Sequence, residues 1–112
     1  HPIGALFGLS HGLVNAVLLP VVSEFNYQFS ESKFNHISKC ILPVESRKRF
    51  HNLLKDFNKK LKVPLKFSQL GLVLDKKTED KIVYDVKHSG VLKCNPRKVS
   101  EKEIRGILKK LW

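Results

Sequence analysis

Apolar residues run almost unbroken through the first quarter of the chain, then settle into a spaced, helical rhythm. In HGLVNAVLLPVVSEFN, residues Leu13, Val14, Ala16, Val17, Leu18, Leu19, Val21, Val22 and Phe25 leave hardly any polar side. A helix apolar nearly all round is expected to be buried all round. Ser10 is suited to cap its start. Pro20, which has no N–H to donate, predicts a bend rather than a stop. A second helix is predicted from Ser30 to about Cys40, with Phe34, Ile37 and Ile41 on one face and Pro43 beyond it. The third pattern is the clearest: in VESRKRFHNLLKDFNKKLKVP, Phe50, Leu53, Leu54, Phe57 and Leu61 recur at steps of three and four. Arg47, Lys48, Lys55, Lys59 and Lys62 take the other face, and Pro64 closes the helix. A fourth helix should start near Asp75 and use Ile82, Val83 and Val86. Gly90 and Asn95-Pro96 then call for irregular backbone. Ser100 and Glu103 make a capping box ahead of Ile104, Ile107, Leu108 and Leu111, the stripe of a last helix. No alternating run supports a strand, so the predicted class is all-α.

Composition narrows this only in part. A length of 112 residues fits one domain with one modest core. A hydrophobic content of 42% and a charged content of 28% exclude wholesale disorder. The net charge of +11 is unusual and unevenly placed, because all 21 basic residues follow Asn26. Such a surface can attract nucleic acid or other anions. No helix-turn-helix or other named reader motif accompanies it, and a solvated face is the plainer reading. Cys40 and Cys94 lie far apart without CxxC spacing, which excludes a zinc-finger pattern, leaves a disulfide open and suits a reducing cytoplasm equally well. Pro2–Val22 is neither a signal peptide nor a span. It lacks a basic start, and its longest strictly apolar run, Ala16–Val22, falls far short of the roughly 20 residues a span needs. The chain starts without Met inside an apolar sequence, which reads as a piece of something longer.

The candidate chemistry lies in HPIGALFGLSHG. On one continuous helix, His1 and His11 would stand about 80° apart. Gly4, Gly8 and Gly12 argue instead for a bend, with His1 at the end of one element and His11 at the start of the next. Two imidazoles fall short of the three or four protein ligands a first-row metal normally takes. His36, His51 and His88 lie on or near the basic, exposed part of the pattern and are not expected to ligate. By pattern alone, His11 reads as a packed or capping histidine at least as readily as a ligand.

HPIGALFGLSHGLVNAVLLPVVSEFN closely resembles the signature of the iron-containing (group III) alcohol dehydrogenase family. There, His-Pro-x-Gly-Ala leads to a second His-Gly and then to Asn-Ala-x-Leu-Leu-Pro. LKVPLKFSQLGL is similar to that family's connection between helices, and CNPRKVSEKEIRGILKKLW to its closing Asn-Pro-Arg, capped helix and terminal aromatic. The resemblance implies that residues 1–112 form the all-α, multi-helix C-terminal metal-binding domain of the dehydroquinate synthase-like, iron-type alcohol dehydrogenase fold. The dinucleotide-binding α/β domain would lie outside it. It further implies that His11 is a metal ligand, and that His1 is the nearby second histidine, beside substrate and nicotinamide. An aspartate and two histidines upstream would complete the ligand set, and no residue of this chain would hold the nucleotide. The implied cofactors are Fe2+, with Zn2+ or another divalent metal as substitutes, and NAD(P). The implied partners are a small alcohol or aldehyde, the missing domain of the same chain, and a second copy if the enzyme is a homodimer; no membrane is involved. The implied location is cytoplasmic.

Two departures stand out. Val21 follows Pro20 where the family often has histidine, which points to a changed substrate end of the pocket. Ser10 replaces a common proline and is compatible with capping. Asn95, Pro96 and Arg97 are expected to be structural, the arginine tying the last helix to the core. The rival readings are a metal-independent reductase of the maleylacetate type and a basic helical nucleic-acid-binding module. These 112 residues alone are expected to reduce no aldehyde and to bind Fe2+ or Zn2+ weakly.

Overall fold

A computed structural model describes residues 1–41 and 49–112. Among the described residues there are six α-helices and no strand: α1 (Pro2–Phe7), α2 (His11–Asn26), α3 (Glu31–Ile41), α4 (Phe50–Lys60), α5 (Lys76–His88) and α6 (Glu101–Leu111). Short 3₁₀ turns at Tyr27–Phe29, Phe67–Leu70 and Val91–Cys94 join them. The all-α expectation holds. The start of the predicted third helix, with Arg47 and Lys48, lies outside the described residues, as does Pro43.

Three helix starts follow the local chemistry of their caps. Ser10 Oγ accepts from the Leu13 N–H, Asp75 from Thr78, and Ser100 from Glu103. Glu103 reaches back to the Ser100 N–H at 2.8 Å, closing the capping box. Helix α4 ends differently from expectation. The N–H of Lys62 bonds to the Lys59 carbonyl, and that of Val63 to the Asn58 carbonyl. Lys62 itself is left-handed at φ 56°. This is a Schellman closure with lysine where glycine is usual, and it stops the helix before Pro64.

Helix α2 is central, packing against α1, α4 and α6. Val14, Val17 and Val21 face Ile82 and Val83 of α5 and Ile104, Leu108 and Leu111 of α6 in one core cluster. Trp112 closes that end, with its ring 4.8 Å from Phe67 and 5.8 Å from Phe7. Helices α5 and α6 are clasped by Arg105, which reaches Asp80 at 2.7 Å and Glu79 at 3.4 Å.

Two expectations about burial are corrected. Helix α2 is not buried all round: Leu19 is 48% exposed, because the neighbouring helices cover only part of its circumference. Helix α4 buries its apolar stripe only in part: Phe50, Leu53 and Leu54 are half-buried. Its buried residues are His51 and Asn58, while Phe57 and Leu61 are 59% and 58% exposed. It lies on α2 by its polar edge. Asn58 donates to the Ala16 carbonyl at 2.6 Å, and Lys55 pairs with Glu24 at 3.5 Å. Phe50 stacks on Phe34 of α3 at 5.4 Å.

Candidate functional site

Helix α1 is too short to hold itself together. It persists because Pro2 pre-sets its first turn and Ile3 is buried in the core. Gly8, at φ 64°, ends it in the left-handed conformation that glycine adopts freely. The Leu9 N–H then bonds back to the Gly4 carbonyl at 3.1 Å. A Cβ on Gly4 would sit 3.1 Å from the Leu9 carbonyl oxygen, so the bend closes this tightly only on glycine. Ser10 restarts the helix, and His11 becomes the first residue of α2.

This geometry brings His1 and His11 to one place. Both are exposed, and both line an open cleft of about 250 Å³ with Gly4, Ala5, Leu9 and Val14. The expected bend is there, with one correction: His1 immediately precedes α1 rather than ending an element. One turn into α2, the Asn15 amide meets His11 Nε2 at 2.9 Å and orients the ring, a contact that a metal bound at that nitrogen would have to displace. Asn15 had no assigned role in the sequence. The signal that could have found it is the four-residue spacing, which stacks two side chains on one helix face.

The other histidines do not join this cleft. His36 is exposed, with its Nε2 3.8 Å from Cys40 Sγ. His88 is exposed and locally engaged, its Nδ1 2.7 Å from the Tyr84 carbonyl and its ring on Tyr84 at 4.0 Å. His51 corrects the expectation of an exposed position. It is 6% exposed, edge-on to Tyr27 at 5.7 Å, with no hydrogen-bond partner for Nδ1 among the described residues. Burial lowers its pKa below the ordinary 6.5. Glu24 opposes the shift, and Lys55 and Arg49 reinforce it.

His1 also lines a second cavity of about 250 Å³, set between α1, α2, α5, α6 and the Val91–Cys94 turn. Asn95 lines it too, paired with Asn26 by reciprocal amide bonds of 2.8 and 3.1 Å. Arg97 bonds to Glu103 and lies over Phe25 and Phe29, 4.3 and 4.8 Å from their ring centres. The Asn-Pro-Arg stretch therefore ties α6 to the end of α2, as expected. Val21 belongs to the core cluster and is not among the residues that line the His1–His11 cleft.

The donor set fits part of a metal site. His11 offers an oriented, accessible imidazole, but among the described residues no three His, Cys, Asp or Glu side chains could together hold an ion. With no strand, the described residues also lack the strand–turn–helix cradle that takes a dinucleotide pyrophosphate. No helix among them is long and apolar enough to cross a membrane.

Comparisons with known proteins bear on the family. The chain is 29% identical over 114 residues to an NADPH-dependent butanol dehydrogenase of Clostridium saccharobutylicum, covering 96% of this chain and 29% of that protein. It is 30% identical over 122 residues to alcohol dehydrogenase 4 of Saccharomyces cerevisiae, covering all of this chain and 30% of the yeast protein. A lactaldehyde reductase of Escherichia coli is 41% identical over 41 residues, which cover 37% of this chain and 11% of that protein. The chain thus spans less than a third of the length of these relatives. No solved structure matches it. The family model described as Fe-containing alcohol dehydrogenase family, C-terminal, matches residues 1–112 throughout, and the chain belongs to that family as its helical C-terminal domain.

Proposed function

We propose that this domain forms one wall of the active site of an NAD(P)-dependent alcohol dehydrogenase or aldehyde reductase, with His11 as a ligand of a divalent metal, Fe2+ first, and His1 beside the substrate. The observation that carries the reading is that one cleft is lined by both histidines, each at the start of a helix, with the Gly8 bend between the two helices. The remaining ligands and the nucleotide site are assigned to a domain outside these 112 residues. The relatives named as NADPH-dependent butanol dehydrogenase, alcohol dehydrogenase and lactaldehyde reductase support hydride exchange between a nicotinamide and an alcohol or carbonyl. The two free, exposed cysteines, Cys40 and Cys94, are compatible with a cytoplasmic location.

When bound, the metal would supply Lewis-acid polarisation of the substrate oxygen. This chain's own residues do the rest of what can be derived. His11 presents its ring from the first turn of α2, and Asn15 orients it. His1, exposed on the same cleft, can hold or pass a proton at an imidazole nitrogen. The apolar side chains of Leu9 and Val14 limit water on the inner side of the cleft.

The test uses the enzyme that carries this domain. His11→Ala is expected to lower bound metal per subunit by at least tenfold, measured by elemental analysis after dialysis. His1→Ala is expected to keep the metal and lower kcat by roughly 10²- to 10⁴-fold, the range of a positioned acid or base. Full metal occupancy in His11→Ala would end the reading.

A further inference from the structure

The apolar side that α4 turns to solvent ends in the densest run of unpaired lysines among the described residues. Phe57 and Leu61, at helical spacing and so neighbours on one face, are 59% and 58% exposed. Lys59, Lys60, Lys62 and Lys66 follow close on one another, and all four are exposed. None of them has an ion-pair partner among the described residues. The acids of α5 and α6 are engaged by other cations, as Asp80 is by Arg105, Asp85 by Lys81 and Glu103 by Arg97. On the helix, Lys60 is offset by about 60° from Phe57 and so borders the apolar pair. Lys62 and Lys66 continue past the helix end.

Lys62 adds an independent observation. Among the described residues it is the one non-glycine residue at positive φ, 56°. A Schellman closure takes glycine with least strain, because a side chain in the left-handed region crowds its own backbone. The chain keeps a long cationic side chain where local folding favours none, so the charge is held at a local cost.

We propose that the end of α4 docks on an anionic lipid bilayer, with Phe57 and Leu61 entering the headgroup boundary and Lys60, Lys62 and Lys66 against the lipid phosphates and carboxylates. This is the chemistry of an interfacial amphipathic helix, which joins exposed Phe and Leu to a lysine-rich border. A lipid surface suits the patch better than nucleic acid does. Residues 57–66 contain no arginine, whose planar fork matches phosphate and base edges, whereas flexible lysines suit a fluid array of headgroups. Leu61 gains from an acyl boundary and has no ring to stack on a base. The association is peripheral, since no described helix is long and apolar enough to cross a bilayer. It adds a membrane partner where the sequence led to the expectation of none, and it is independent of the dehydrogenase reading.

The test is co-sedimentation of the enzyme that carries this domain with phosphatidylcholine vesicles, with and without phosphatidylserine. Binding is expected only with phosphatidylserine, and should be lost at ~1 M salt, where the screening length falls to about 3 Å. A lysine near an anionic surface gives roughly fivefold in affinity, so Lys62→Gly should weaken binding by about that factor. Lys60→Gln with Lys66→Gln should weaken it roughly 25-fold. Lys62→Gly should also leave the urea midpoint unchanged or raise it, because glycine relieves the left-handed strain, so its lost binding is not lost folding. Phe57→Ser with Leu61→Ser should weaken binding at least about tenfold with the fold intact. Equal binding to both vesicles, or unchanged affinity in Lys62→Gly and in the double serine variant, overturns the proposal. Absence of sedimentation with either vesicle also overturns it, and leaves this face to the rest of the enzyme or to a second copy. A DNA or RNA duplex that binds more tightly than the vesicles, and loses affinity in the same variants, assigns the surface to nucleic acid and overturns the lipid reading.

Discussion

Pro20 lies inside α2 and has no N–H for the carbonyl four residues earlier, that of Ala16. Asn58, arriving from α4, donates to that carbonyl at 2.6 Å and is itself 5% exposed. One side chain thus mends the gap that lets the helix run through its proline. Asn58→Ala should cost about 1–3 kcal/mol, the penalty of an orphaned buried acceptor. In a Pro20→Ala background, where the backbone regains its donor, the same change should cost at least about 1 kcal/mol less. A double-mutant cycle by urea denaturation reads the coupling, and strict additivity would sink the account. His51 makes a second prediction at this scale. Its pKa is lowered in the folded state, so the unfolded chain binds the proton more readily. Its contribution to stability is present above the unfolded value near 6.5 and is lost as pH falls through the lower folded value. Midpoints of urea denaturation at pH 7.5 and 5 should differ more for the native chain than for His51→Gln.

At the scale of the element, α4 shows where periodicity stops being informative. The stripe Phe50, Leu53, Leu54, Phe57 and Leu61 reads as a core face, yet only its first three residues are half-buried, Phe57 and Leu61 are more than half exposed, and the helix bonds to α2 through Lys55 and Asn58. The hydrophobic period says that a helix has two faces. Which one is covered depends on the polar demands of the neighbour, here the Ala16 carbonyl and Glu24. Phe57→Ser with Leu61→Ser should therefore change stability by no more than about 0.5 kcal/mol, as exposed positions do. Phe67→Ala, at a fully buried site, should cost about 3–5 kcal/mol. Chemical denaturation of both variants decides, and a loss above about 2 kcal/mol in the double serine variant would restore the core reading of that stripe. Helix starts were more legible, because Ser10, Asp75 and Ser100 act within three residues of themselves.

At the scale of the molecule, the domain carries two imidazoles on a cleft and an apolar cavity behind one of them. With no three-residue donor cluster among the described residues, the 112-residue chain by itself should bind Zn2+ or Co2+ only weakly, with Kd of about 10⁻⁴ M or above. It should oxidise no NADPH with butanal. Calorimetric titration and absorbance at the nicotinamide band check these outcomes, and tight one-to-one binding would show that the chain holds a complete site. The candidate site was half legible. HPIGALFGLSHG pointed to a bend and two histidines, and its glycines act over a few residues. The apposition of His1 with the second cavity was not legible, since that cavity exists only where distant segments fail to fill the space between them.

The sequence alone determined what depends on neighbours within about four positions: five of the six helices, their caps, the glycine bend and the identity of the two cleft histidines, but not the short helix α1, which is held by the burial of Ile3. Tertiary structure decided everything that crosses the chain. It turned the polar edge of α4 inward, buried His51, joined Asn58 to Ala16 over 42 positions and Asn26 to Asn95 over 69, and left the cavity beside His1 open. The physical reason is one of range. Helical hydrogen bonds and caps are satisfied locally, whereas an orphaned carbonyl or an unfilled apolar space finds its partner only once the helices have packed.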